Sequence, residues 1–161
     1  MSINHEKKII SFITGVYVCL NLSAQCPPHF KPVEEFNKDV VSFLVYNFGN
    51  ENGKTFQGKT VDDVIQCMGL QVKFFGLSLD SKNHTDGISA ISLRLYDEKN
   101  ENFYRQNKIN KPYFFIHFVE PIPSKEIIRQ RRANGGGKWT PEIETLFKNV
   151  IVDYTRAIYS Y

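Results

Sequence analysis

The chain has 161 residues, of which 42% are hydrophobic, 14% aromatic and 23% charged. This composition is that of an ordinary globular domain, and it excludes collagen-like, low-complexity and wholly disordered chains. The net charge of +3 is small and dispersed, which argues against a nucleic-acid-binding protein.

The first segment predicts an export signal. Two lysines precede an almost wholly apolar run over residues 9–22, and small and polar residues follow it. A basic end, an apolar run of about 7–15 residues and a small-residue cleavage site define a secretory signal peptide. We expect cleavage after Ala24, with Gln25 as the near alternative, so that residues 1–24 are the signal and residues 25–161 form a single domain. A buried first helix is the competing interpretation, but the run has no polar face.

The cysteines fit the same location. Cys19 would leave with the signal, so the exported domain retains Cys26 and Cys67. In an oxidising compartment, periplasmic or extracellular, this pair can form one disulfide. The alternatives are a free Cys26 with a buried, inert Cys67, or a lipid anchor on Cys26, which the large Gln25 before it disfavours. Beyond the signal, no apolar segment reaches the length of about 20 residues that a transmembrane helix needs.

Two helices are predicted on the N-terminal side of the domain. Apolar residues recur at helical spacing over residues 33–48, although residues 40–48 are also rich in β-branched and aromatic side chains and could form a strand. Thr60 and Asp63 have the capping-box pattern that opens a helix. Gly69 is a typical C-terminal stop for that helix.

The middle of the chain predicts β-structure. Residues 70–79 alternate and then change face at Gly76, which suggests a bulge. Residues 91–95 alternate regularly, as in a half-buried antiparallel strand. A short return strand is expected at residues 103–104. Residues 113–119 are apolar or aromatic on both faces and should form the central strand.

Two further helices are predicted to end the domain. Ser124 is expected to cap a short basic helix over residues 125–133, and Thr140 to open a last helix whose apolar stripe runs over residues 143–158. The predicted fold is therefore α+β, with a three- to four-stranded antiparallel sheet packed against N-terminal and C-terminal helices.

One phosphate-binding motif matches by letter. Residues 53–60 read GKTFQGKT and fit the P-loop pattern G-x-x-x-x-G-K-[ST]. Gly53 and Gly58 would shape such a loop, whereas Lys59 would contact the phosphates and Thr60 a magnesium ion. A P-loop follows a buried parallel strand, but the residues before this segment read better as a helix. A loop whose threonine caps the next helix is the simpler explanation, and we predict no cofactor.

Histidines give no convincing active site. His117 lies in the aromatic strand, where a satisfied buried histidine is the simpler interpretation and a hydrolase using it with a nearby acid is the alternative. His84 lies between Asp80 and Asp86, but their spacing fits no metal-binding motif, and Asn83 begins an N-glycosylation sequon. We predict no catalytic residue and no metal site.

The best candidates for an interaction surface are basic and aromatic. Arg129, Arg131 and Arg132, with Lys125, make the short helix basic. A solvated face is the plain interpretation, and an acidic partner or anionic lipid headgroups are the functional one. Trp139, the only tryptophan, follows three glycines and could either anchor a partner or pack onto the last helix.

These observations predict an exported, small binding protein without catalytic activity, such as an envelope accessory protein, an inhibitor or an immunity-type protein. Its partner is expected to be a protein or another envelope component and not nucleic acid. The alternatives are a phosphate- or nucleotide-binding enzyme that uses residues 53–60, and a periplasmic hydrolase that uses His117.

Overall fold

The computed structural model describes residues 26–49, 51–79, 87–96, 106–107 and 111–160. Four predicted features lie outside the described residues: the signal peptide, the aspartate cluster around His84, the sequon at Asn83 and the short strand at residues 103–104.

The described residues contain a four-stranded antiparallel sheet in the order β1-β2-β3-β4. Its strands are β1 (Phe74–Leu79), β2 (Gly87–Arg94), β3 (Lys111–Pro123) and β4 (Val152–Ser160). The helices are α1 (Val40–Phe48), α2 (Val61–Met68), α3 (Ser124–Ala133) and α4 (Pro141–Phe147). Short 3-10 helices span Val33–Phe36 and Gly53–Phe56. The predicted α+β class, with helices flanking the sheet towards both ends of the chain, is confirmed.

The core lies between one face of the sheet and the helices. On β3, Phe114, Ile116 and Phe118 point inward and are buried, whereas the residues between them stay half-buried on the other face. The inward side chains pack against buried residues of α1, α2 and α4. Because the helices cover one face of the sheet, the aromatic excess of the sequence is divided between a dry core and a partly exposed surface.

The N-terminal helix is interrupted. Residues 33–48 do not form the single helix that their periodicity predicts, because Asn37 and Lys38 take left-handed backbone angles with φ of 53° and 63°. A new helix starts after Asp39, whose carboxylate accepts the Val41 amide. The sequence leaves helix and strand open for the stretch that follows, and the structure shows a helix, α1.

The last helix is shorter than predicted. It ends at Phe147, and the residues after it form β4 in place of the helix expected as far as Ile158. The apolar spacing there suits both structures, but β-branched and aromatic residues favour the extended one. β4 pairs with β3 from Phe118–Val152 to Lys111–Ser160, so cross-strand pairing decides the outcome.

Two of the three residues predicted to cap a helix N-terminus do so. Thr60 and Asp63 form a reciprocal capping box at α2, and Thr140 caps α4. Ser124 does not cap α3. It is the first helical residue, and Pro123 occupies the cap position without a side-chain hydrogen bond.

The bulge predicted at Gly76 lies elsewhere. Gly76 pairs in register with Ser92, and the irregularity of β1 falls between Ser78 and Leu79. A Cβ atom at Gly76 would come within 2.5 Å of the Ser92 hydroxyl oxygen, so a larger residue there would require this hydroxyl to move.

Cys26 and Cys67 form the predicted disulfide, with their Cα atoms 5.4 Å apart. The bond ties the start of the described chain to the buried face of α2. None of the helices in the described ranges is long and apolar enough to cross a membrane.

Candidate functional site

Helix α3 presents most of its surface to solvent. Ile127 is its one buried residue, and it packs into the hydrophobic core. Glu126 lies in the first turn and Arg131 and Arg132 in the last, so the charges complement the helix dipole. The core contact of Ile127 fixes which face of the helix points outward.

Arg129 is neutralised within this helix. Its guanidinium makes two hydrogen bonds to the Glu126 carboxylate, at 2.7 Å from Nε and 2.5 Å from a terminal nitrogen. These bonds lower the pKa of Glu126 to about 2 and raise the pKa of Arg129 above its ordinary value. Arg129 was predicted to be part of the interaction surface, but its charge is already compensated.

Three cations on α3 have no such compensation. No described acidic side chain lies within ion-pair distance of Lys125, Arg131 or Arg132. The Nε atom of Arg131 is also buried without a hydrogen-bond partner, close to Gly137. These three residues therefore carry the positive potential of the helix.

Two open clefts flank this helix. The larger, of about 760 Å³, is lined by Pro123, Ser124, Lys125, Ile128, Arg129 and Arg132. The second, of about 340 Å³, is lined by Leu77, Leu79, Ile128, Arg131, Arg132 and Gly136. Ile128 and Arg132 line both, so the clefts lie on the two sides of one ridge. We call Lys125, Ile128, Arg131 and Arg132, together with Leu77 and Leu79 of β1, the α3 surface.

The α3 surface combines positive charge with apolar area. Leu79 is 59% exposed, which is the largest exposure among the bulky apolar residues that the structure describes. Leu77 and Ile128 are half-buried beside it. A ligand that fits this surface therefore carries negative charge together with an apolar part.

Trp139 packs against strand β1 and the last helix. It is half-buried, and its ring lies edge-on to Phe75 and stacks on Phe147 of α4, at 5.9 Å in both cases. Its amide donates to the carbonyl of Lys73, and the Phe75 amide donates to the carbonyl of Gly137. The segment after the glycines thus covers the start of the outer edge of β1, which protects this part of the edge from pairing with another chain.

The P-loop-like segment has a structural explanation. It follows α1 and not a strand, and its first half is a 3-10 helix. The Gly58 amide donates to a carbonyl of β4, the Lys59 amide to a carbonyl within the segment, and the Thr60 amide to the Asp63 carboxylate. Because these amides are engaged, they cannot surround a phosphate, and the geometry does not favour the nucleotide-binding alternative.

His117 is half-buried on the outer face of the sheet and not buried as expected. Its ring stacks on Tyr154 with centroids 4.1 Å apart and an angle of 10°. Desolvation and the nearby Arg156 lower its pKa, and the charge of Asp153 offsets part of this effect. His117 lines neither cleft and makes no hydrogen bond to a described acid. The described residues therefore do not form the histidine–acid pair that the hydrolase alternative requires.

The described ranges hold no cluster of three or more histidine, cysteine or acidic side chains that could bind a metal ion. Comparisons with protein-family models, curated proteins and solved structures find no match.

Sequence reasoning found the cations of this site but missed its apolar half. Leu77 and Leu79 lie about fifty residues before Ile128 in the chain, and only folding brings them together. The available signal was Ile128 itself, an apolar residue between charged ones on a helix that already buries its neighbour Ile127.

Proposed function

We propose that this chain is an exported binding protein without catalytic activity, and that its α3 surface recognises a negatively charged partner. One observation carries the proposal: Lys125, Arg131 and Arg132 lack acidic partners within the described chain, and each of them lines at least one of the two clefts. Electrostatic complementarity of this kind steers a partner and sets its orientation.

The residues around the clefts favour binding over catalysis. Ser124 and Lys125 are the side chains lining the clefts that could act as nucleophiles, and neither histidine nor a carboxylate lines the clefts with them. The nearby Glu126 is committed to Arg129. An envelope accessory protein, an inhibitor or an immunity-type protein would all use such a surface.

Export is supported by two independent features. The first residues have the pattern of a signal peptide. The Cys26–Cys67 disulfide suits an oxidising compartment, because disulfides are rare in reducing ones. The same bond argues against a lipid anchor, since a thioether to lipid would need the Cys26 sulfur that Cys67 occupies.

Intact-mass spectrometry tests the export proposal. When the full chain is expressed in a secreting bacterial host, the exported protein should have the mass of residues 25–161 without the thiol hydrogens of Cys26 and Cys67. Reduction should restore those hydrogens. A mass that retains residues 1–24, or that includes a lipid on Cys26, contradicts the proposal.

Polyanion binding tests the α3 surface. The variant R131Q/R132Q should bind immobilised heparin at least about tenfold more weakly than the wild type, because charge-assisted hydrogen bonds contribute about 1.5–3 kcal/mol each. The control K54Q/K59Q removes the same charge from exposed lysines near β4. It should stay close to the wild type in the same titration.

The two variants also separate the alternatives. Equal losses in both would mean that binding reflects net charge alone, which overturns the assignment of the site to α3. A larger loss in K54Q/K59Q would favour the P-loop-like segment. Circular dichroism of each variant confirms that the fold is kept.

A further inference from the structure

We infer that the α3 surface docks on the surface of an anionic lipid bilayer. The inference rests on the proposed function and names the partner of the same site. Leu79 is 59% exposed at the end of β1, and it lines a cleft together with Arg131 and Arg132. Leu79 thus places exposed apolar area beside two cations that have no acidic partner within the described residues.

An anionic bilayer matches both halves of this surface. Peripheral proteins place apolar side chains below the lipid headgroups, while lysine and arginine contact the phosphates. Lys125, Arg131 and Arg132 supply the cations, and Leu79 with Ile128 supplies the apolar part. Arginine suits the phosphate groups because its guanidinium donates two parallel hydrogen bonds.

The shape of the site favours an extended surface over a small soluble anion. The two clefts are open, and the ridge of Ile128 and Arg132 separates them. A free phosphate would use the cations but would leave Leu77 and Leu79 in water. A bilayer covers the ridge and both clefts at once.

The α3 surface lies at one side of the sheet. Ile127 is the one buried residue of helix α3. The helix lies at the β1 side of the sheet. The P-loop-like segment and its exposed lysines lie at the opposite side, against β4. The two sides therefore provide a site and an internal control within one molecule.

Vesicle sedimentation tests the inference. The wild type should sediment with vesicles of phosphatidylcholine and phosphatidylglycerol but not with phosphatidylcholine alone, and binding should weaken as salt increases. R131Q/R132Q should bind the anionic vesicles at least about tenfold more weakly. L79S should bind them several-fold more weakly while it keeps wild-type heparin binding.

The matched control for L79S is V45S, which replaces another exposed apolar side chain, the 40% exposed Val45 of α1, with serine. V45S should bind anionic vesicles like the wild type. If L79S and V45S behave alike, or if the wild type binds heparin but no vesicle, the membrane inference is overturned while the proposed function stands. If R131Q/R132Q changes neither heparin nor vesicle binding, both are overturned.

Discussion

Replacing Cys26 and Cys67 together with alanine is expected to lower the free energy of unfolding by about 4 kcal/mol, because their disulfide removes loop-closure entropy from the unfolded chain. The bonded residues are 41 positions apart, so the unfolded chain with free cysteines samples many more conformations. Alanine is the suitable replacement, since Cys67 is buried and a serine there would add an unsatisfied hydroxyl.

The native contacts around the disulfide determine what remains when it is lost. Buried Asn47 accepts the Lys31 amide at 3.0 Å and donates to the Lys31 carbonyl at 2.9 Å. Phe30 lies edge-on to Phe43 and Phe48, at 5.9 Å from each. These contacts should keep the N-terminal segment in place in the folded variant. The loss of stability should therefore come mainly from the greater conformational freedom of the unfolded chain.

Urea denaturation with and without reductant measures this effect. Reductant should destabilise the wild type to the level of the double alanine variant and should leave that variant unchanged. Since domains of this kind are stable by about 5–15 kcal/mol, the variant should remain folded at low urea. An unchanged wild-type midpoint in reductant would show that the disulfide adds no stability.

The fold could be predicted where short-range chemistry decides it. The capping box of Thr60 and Asp63 and the stop at Gly69 depend on neighbours within one helix, and both are found. The break at Asn37 and Lys38 is harder to predict, because asparagine tolerates positive φ but lysine rarely adopts it.

The predicted length of the last helix was wrong for a different reason. Its apolar spacing is compatible with both helix and strand as far as Ile158, and its β-branched and aromatic residues favour a strand only weakly. The choice depends on β3, whose outer edge needs a partner and whose residues lie some forty positions earlier. Pairing over such a separation is a property of the tertiary fold, so a single sequence does not reveal it.

The candidate site shows the same division. The charge of Arg131 and Arg132 can be read directly from the sequence, and the pairing of Arg129 with Glu126 follows from their i, i+3 spacing. The contribution of Leu79 depends on the packing of a helix beside a strand end. Sequence therefore predicts the charge of this surface, and folding supplies its apolar component.

Phe48→Ala is expected to lower the free energy of unfolding by about 4 kcal/mol, within the range for aromatic residues in well-packed cores. Phe48 is fully buried at the end of α1. Its ring stacks on Phe56 at 5.1 Å and lies 4.8 Å from Phe114 of β3. One side chain thus joins a helix, a 3-10 turn and an inner strand.

The surroundings of Phe48 cannot collapse into the space that alanine would leave. The Thr155 hydroxyl of β4 lies 3.3 Å from the carbonyl oxygens of Phe48 and Gly53, within hydrogen-bond distance of both. A Cβ atom at Gly53 would come within 2.2 Å of the Thr155 carbonyl oxygen, so these backbones are already in close contact. A rigid frame of this kind retains the cavity, and the cost of a cavity grows with its residual volume.

Two further variants make the Phe48 measurement decisive. Phe48→Leu should recover about half of the loss, because it fills part of the cavity. Val45→Ala, on the exposed side of α1, should change the free energy by less than about 0.5 kcal/mol. Urea denaturation of the three variants separates packing from helix propensity, since all lie in one helix. If Phe48→Ala and Val45→Ala had equal effects, the aromatic cluster would not be the centre of this core, and the aromatic excess of the sequence would need another explanation.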